Sequence, residues 1–386
     1  MQPCITGWGH TKFGALRETP LEDLITAAAQ EALTHGGVSA ADVDGIWLGH
    51  FNSGMVPDAF ASSLVLGADD GLRFTPATRC ENACASGSAA IYSALESIRA
   101  GTTKIALVVG VEKMTEQDTA GVTKALSGAS YQKEEAGVSF PQIFGRIAGQ
   151  YFQHFGDQSE TLARIAVKNH TNALSNPLAH MQKAMTLDFC NSISDRNPMV
   201  AAPLRMTDCS LISDGAAALV IVAPELAQDF PQAVTFRATA QINDFMPMSR
   251  RDMTELTGPR VAFEKAFRDA NVTLDDIGFA EVHDCFTIAE LMIYEAMGLK
   301  PKGHGAEAVH EGIVMKGGKL PVNLSGGLKA KGHPVGATGV SMHVVAARQI
   351  TGSAGDMQSQ NTDLGLVFNM GGSGVANYCS ILEAAQ

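Results

Sequence analysis

Residues 31–49, EALTHGGVSAADVDGIWLG, return in outline as residues 265–283, KAFRDANVTLDDIGFAEVH. Ala32-Leu33, Val38, Asp42-Val43 and Trp47 recur as Ala266-Phe267, Val272, Asp276-Ile277 and Glu281, each 234 positions later (266 minus 32). Both copies read as a helix, a short turn and a strand. A second echo follows. The helical pattern from Ala85 to Arg99 stops at Gly101 before Ala106-Leu107-Val108-Val109, and the helix after His333 stops near Gly352 before Leu364-Gly365-Leu366-Val367-Phe368. The expected fold is α/β: two similar halves, each of helices on a buried apolar sheet, packed face to face with their central helix N-termini meeting at one cleft.

The repeat leaves residues 116–207 outside, and these are richer in polar residues, glutamine and glycine. The expected organisation is an N-terminal half of 1–115 plus 208–225, an inserted domain of 116–207, and a C-terminal half of 226–386. Phe140-Pro141-Gln142-Ile143-Phe144 and Phe152-Gln153-His154-Phe155 place several aromatics in the insertion.

With 386 residues, 45% of them hydrophobic, the chain can bury full cores. A formal net charge of -12 excludes nucleic acid or an anionic membrane as the main partner, because those need clustered Lys and Arg. Seven cysteines, an odd number without framework spacing, argue for a reducing compartment. The start lacks a basic region followed by an apolar run, no apolar stretch is of spanning length, and Glu383-Ala384-Ala385-Gln386 is not a peroxisomal address. The expectation is a cytoplasmic protein.

Three segments carry the chemistry. Asn82-Ala83-Cys84-Ala85-Ser86-Gly87-Ser88 sets a cysteine among small residues where a loop becomes a helix. Cys84 is expected in the first turn, where the helix dipole lowers a thiol pKa. Glu281-Val282-His283-Asp284-Cys285-Phe286 and Lys329-Ala330-Lys331-Gly332-His333-Pro334-Val335-Gly336-Ala337-Thr338-Gly339 each add a histidine, and the first a second cysteine. A cysteine nucleophile needs an activating base and a proton donor, roles that imidazole fills near neutral pH.

Over essentially its whole length the chain resembles the thiolases, in particular the sterol-carrier-protein-type and archaeal-type branch. The resemblance rests on those three segments, on Asn369-Met370-Gly371-Gly372-Ser373-Gly374, and on Val167-Lys168-Asn169-His170, Asn176-Pro177, Pro203-Leu204 and Ser213-Asp214-Gly215-Ala216-Ala217-Ala218. It implies the thiolase fold, with two similar α-β-α-β-α halves and a loop domain over the cleft. The chain departs from many thiolases in having His283-Asp284-Cys285-Phe286 for Asn-Glu-Ala-Phe and Asn369 for an acid/base cysteine. Cys285 is the natural substitute.

By this resemblance Cys84 carries the acyl group, His333 activates it, Cys285 moves the proton at carbon and His283 holds the thioester oxygen. The amides of Cys84 and Gly371 form the second oxyanion hole. No resident cofactor and no metal are expected. Coenzyme A enters as substrate, with Lys329, Lys331, Arg250 and Arg251 as candidates for its phosphates. The aromatics of the insertion, Phe144 and Phe152 among them, are expected to set chain-length preference. Partners expected from the resemblance are a second copy or a tetramer, and a small zinc-containing acyl-CoA-binding protein. A ketoacyl synthase with a Cys-His-His triad, a retro-aldol lyase and a non-catalytic lipid carrier stay as alternatives. The first does not need Cys285, the second does not need Cys84, and the third needs no cysteine.

Overall fold

The computed structural model describes residues 2–385. The N-terminal half runs β1 (Cys4–His10), α1 (Leu21–Gly36), β2 (Gly45–Gly49), β3 (Ala77–Cys80), α2 (Ser86–Arg99) and β4 (Ile105–Glu112). Residues 116–207 hold α3 (Thr119–Ser127), α4 (Gln132–Glu135), α5 (Phe140–Phe155), α6 (Ser159–Ala173), α7 (Leu187–Asn191) and the small hairpin β5 (Met199–Ala201) with β6 (Leu204–Arg205). β7 (Gly215–Val222) completes the first half. The second comprises β8 (Val234–Asn243), α8 (Thr257–Ala270), β9 (Phe279–Val282), α9 (Thr287–Ala296), α10 (Gly305–His310), α11 (Gly327–Ala330), α12 (Thr338–Ile350), β10 (Gly365–Gly371) and β11 (Ala376–Ala384).

The repeat read from sequence is a repeat of structure. Strand order is β3-β2-β4-β7-β1 in the first half and β9-β10-β11-β8 in the second, so β2, β4, β7 and β1 correspond to β9, β10, β11 and β8. The strands farthest from the junction pair parallel, β3 with β2 and β2 with β4 in the first half and β9 with β10 in the second, and the rest pair antiparallel. The helix, 3-10 turn and strand of residues 21–49 reappear at 257–282.

Amphipathicity explains the layers. α1 turns Leu21, Leu24, Ile25, Ala28, Ala29, Ala32 and Leu33 inward at helical spacing, and stops where Gly37 takes φ +63. Burying Leu24 and Ile25 contributes roughly 1.5–3 kcal/mol each. β7 is apolar throughout because both faces are covered: Ala216, Ala218, Val220 and Val222 join the core beneath α1, while Ala217, Leu219 and Ile221 join the core shared with the second half. α8 covers the outer face of the second sheet, against β8 and β11.

Between the sheets lie α2 and α12. α12 touches β4 and β7 of one half and β9, β10 and β11 of the other, so the halves face each other across this helix pair. They are also joined along one edge, where Cys4 pairs with Thr235 and Ile5 with Val234. Close approach at the centre needs glycine. A Cβ on Gly87 would lie 2.7 Å from the Gly336 carbonyl oxygen, inside contact distance. No helix among the described residues is long and apolar enough to cross a membrane.

Candidate active site

Cys84 sits in a turn of its own, two residues before α2 rather than in its first turn. The reason is local. The Ser86 hydroxyl accepts the Asn82 N–H at 2.9 Å and donates to the Ala83 carbonyl at 2.7 Å, which closes the chain on itself ahead of the helix. Ala83 is held at φ +52, where an alanine is strained, and this sharp turn lifts the next side chain out of the backbone. The expected low thiol pKa is not found. Burial pushes the Cys84 thiol up to about 12, with the nearby Glu112 and Glu81 carboxylates adding to it, while the amides of Gly372 and of Cys84 itself pull the other way. At rest Cys84 is a neutral thiol, and a thiol in that state attacks a carbonyl only with a base beside it.

Two imidazoles lie beside it. Cys84 Sγ and one nitrogen from each of His283 and His333 all lie within 4.8 Å of one another. Burial holds both imidazoles neutral, His333 down to about 3 and His283 well below its ordinary value. Their hydrogen bonds assign them opposite tautomers. The Thr338 hydroxyl donates to the Pro334 carbonyl at 2.9 Å, so at 2.7 Å it can only accept from His333 Nδ1–H. His333 Nε2 is then an unprotonated acceptor with no partner among the described residues. For His283 the partner is Asn369, whose Oδ1 accepts from Ser88 Oγ at 2.8 Å and whose Nδ2 faces the Cys84 carbonyl at 3.3 Å. Nδ2 also donates to His283 Nδ1 at 2.9 Å, so the hydrogen of that ring is on Nε2, likewise without a partner among the described residues. One histidine offers a lone pair to the site and the other an N–H. A metal ion among the three would first require His283 to give up that tautomer.

Cys285 follows β9 and is buried. It lines the same cavity of about 250 Å³ as Cys84 and His333, together with Gly372. Burial and the neighbouring Cys84 and Asp284 keep its thiol well above the ordinary range, hence protonated. Cys84 of the first half therefore meets His283, Cys285 and His333 of the second, with Cys84 and His333 each ahead of a central helix and His283 and Cys285 after a strand.

Residues 4–225 match the family description "Thiolase, N-terminal domain", and residues 240–384 match "Thiolase C-terminal domain-like". The chain belongs to the thiolase family. It is 38% identical over 376 residues to the acetyl-CoA acetyltransferase of Methanothermobacter thermautotrophicus, covering 96% of each chain. Human sterol carrier protein 2 is 30% identical over 388 residues, 95% of this chain and 69% of that protein. Among solved structures, the Ltp2-ChsH2(DUF35) aldolase superposes with TM-score 0.84 at 23% identity over 99% of this chain and 98% of that one. Human mitochondrial 3-ketoacyl-CoA thiolase in complex with CoA does so with TM-score 0.74 at 18% identity over 100% and 98%.

Several residues of this thiolase lie elsewhere than the sequence implied. Lys329 and Lys331 are interior, 3% and 1% exposed, and cannot form a surface patch for phosphates. Lys331 Nζ lies 4.0 Å from Glu281, and Lys329 stands among Cys209, Asp208 and Cys190. Arg251 is tied to the Ser373 carbonyl and hydroxyl, both at 2.6 Å, beside a hollow of only about 20 Å³. Only Arg250 is exposed, its guanidinium 3.4 Å over the Phe245 ring. The amide of Gly372, next to Gly371, reaches the Cys84 thiol. Phe144 and Phe152 do not line the cavity. Phe144 is buried behind it, stacked on Phe286 at 4.4 Å, while Phe140, Val122 and Leu126 reach its wall.

Sequence reading missed Glu112, a fully buried carboxylate at the end of β4. Its Oε2 accepts the N–H groups of Phe51 at 3.0 Å and Gly336 at 3.1 Å, and its Oε1 accepts that of Asn52 at 3.0 Å. His50 Nε2 lies 3.2 Å from Oε1 without hydrogen-bond alignment. Glu112 thereby fastens the loop carrying His333, from one half, to strand ends of the half carrying Cys84. No spacing rule reports such a contact; only the fold does. Glu112→Gln keeps the shape but turns an NH₂ against backbone N–H groups in either orientation. The expected result is a loss of about 10-fold to 10²-fold in kcat with little change in KM, from a penalty of about 1–3 kcal/mol, read by steady-state kinetics. An unchanged kcat would show that Glu112 has no part in placing His333.

Proposed function

We propose that this thiolase cleaves, and in reverse forms, the carbon–carbon bond of a 3-ketoacyl-CoA through an acyl group carried on Cys84. The observation behind the reading is that Cys84, His333 and Cys285 share one cavity, with the two histidines in opposite tautomers. His333 Nε2 takes the proton of Cys84 as sulfur attacks the 3-keto carbon. The oxyanion formed there meets the amides of Cys84 and Gly371, with that of Gly372 alongside. Breaking the bond leaves the acyl group on sulfur and releases the enolate of acetyl-CoA, whose thioester oxygen accepts from His283 Nε2–H. Cys285, protonated at rest, gives its proton to the enolate carbon. The proton that His333 took from Cys84 then restores the Cys285 thiol, and the neutral His333 takes the thiol proton of a second coenzyme A as that sulfur takes the acyl group; Cys84 leaves as a thiolate and recovers this proton from His333. Cys285 separates this reading from a Cys-His-His ketoacyl synthase, which has no use for a thiol at that place.

The inserted segment 116–207 acts as a loop domain that walls the cavity. Arg250, exposed beside Phe245 and Met246, is the remaining candidate from the sequence for the phosphates of coenzyme A. The protein works in the cytoplasm as a homodimer or homotetramer, with a small zinc-containing acyl-CoA-binding protein as a further partner. Incubation with a 3-ketoacyl-CoA, rapid quenching and peptide mass mapping is expected to find the shortened acyl group on Cys84. Acylation only at another residue would remove the reading.

A further inference from the structure

The cavity at Cys84 is larger and more uniformly apolar than an acetyl group needs. Beyond the catalytic side its wall includes Phe51, Met114, Val122, Leu126, Phe140 and Leu211, and among the described lining residues there is no Lys, Arg, Asp or Glu. Phe51, Met114 and Val122 form a small apolar cluster of their own against which Cys84 and Leu126 pack, apart from the two main cores. Of the few hydroxyls on the wall, that of Thr123 is spent on the Thr119 carbonyl at 2.7 Å in its own helix.

Such walls serve neither a charged tail nor the amide-bearing arm of coenzyme A, whose polar groups would lose water without gaining partners. They suit a hydrocarbon chain. Size decides which one: an apolar cavity of about 150 Å³ holds benzene, so by proportion about 250 Å³ holds roughly ten carbon-sized atoms. An acetoacetyl group would leave most of that space empty, and unfilled apolar space forfeits contact with the ligand.

Resting on the thiolase reading above, we infer that the substrate is a 3-ketoacyl-CoA with an uncharged hydrocarbon acyl group of about eight to ten carbons, linear or ring-bearing, and that Val122 and Leu126 on α3 set this limit. Acetoacetyl-CoA and ω-carboxylated chains are poor substrates.

The experiment measures CoA-dependent cleavage of four-, six-, eight- and ten-carbon 3-ketoacyl-CoAs, a cyclohexyl-bearing one and an ω-carboxylated six-carbon one. A kcat/KM about 10²-fold or more higher for eight or ten carbons than for four is expected, since each methylene in an apolar pocket is worth about 10-fold or more until the pocket is full. Leu126→Trp fills the space and is expected to lower the ten-to-four ratio at least about tenfold while four-carbon turnover persists. Val122→Phe makes the same test should the tryptophan prevent folding. Best turnover of acetoacetyl-CoA, equal turnover of the carboxylated chain, or a ratio unmoved by either variant overturns this inference while leaving the thiolase reading intact. Absence of cleavage and of acyl-Cys84 with every compound overturns the thiolase reading instead.

Discussion

Cys84→Ala is expected to lower CoA-dependent cleavage of a 3-ketoacyl-CoA by on the order of 10⁴ to 10⁶ and to abolish the covalent acyl group, because no other thiol can take its geometry. Cys285 shares the cavity but follows β9 and is protonated at rest. Cys209 also reaches the cavity wall, yet burial pushes its thiol up to about 12 and its sulfur faces the Arg205 carbonyl at 3.5 Å. The alanine variant should fold, since Cys84 keeps only light packing against Met114 and Val335 at the cavity floor. The measurement is single-turnover mass analysis alongside steady-state rates, with circular dichroism as the folding control. Retention of more than about one part in a hundred of the rate, with acyl label elsewhere, would place the nucleophile at another residue.

Cys285→Ala separates the two halves of the chemistry. It is expected to slow carbon–carbon cleavage by about 10² to 10⁴, the usual contribution of a positioned acid or base, while Cys84 still accepts an acyl group from an acyl-CoA. Exchange of the α-hydrogens of acetyl-CoA with deuterated water, followed by proton NMR, should fall in parallel. Cys285→Ser should not rescue either, because a hydroxyl is too weak an acid to replace the thiol. Near-normal cleavage by the alanine variant would assign the proton to His283 or His333 and favour the Cys-His-His mechanism.

The repeat was legible because burial on both faces leaves a pattern in the residues themselves. The apolar strand at Ala106–Val109, the small residues around Cys84 and the glycines at 101 and 352 each state a local requirement. What stayed hidden depends on contacts between distant segments. Lys329 and Lys331 look like surface cations in sequence, and only the packing of α6 and α11 shows them inside. A helix-start position makes a thiol acidic, but at Cys84 burial outweighs the dipole. In sequence Asn369 marks only the loss of a cysteine, whereas in the fold its oxygen accepts from Ser88 across the interface and its NH₂ donates to His283 within its own half.

That amide acts as a one-way valve for polarity. It takes a hydrogen bond at one end and gives one at the other, and His283 inherits the direction. The genetic code puts Asn a single base change from Asp, a side chain of the same shape that only accepts. With aspartate at 369, His283 would have to turn its hydrogen toward the carboxylate and show the cavity a lone pair, a second base where the enolate oxygen needs a donor. A lineage descended from this protein could therefore lose the reaction by one nucleotide without any change of fold.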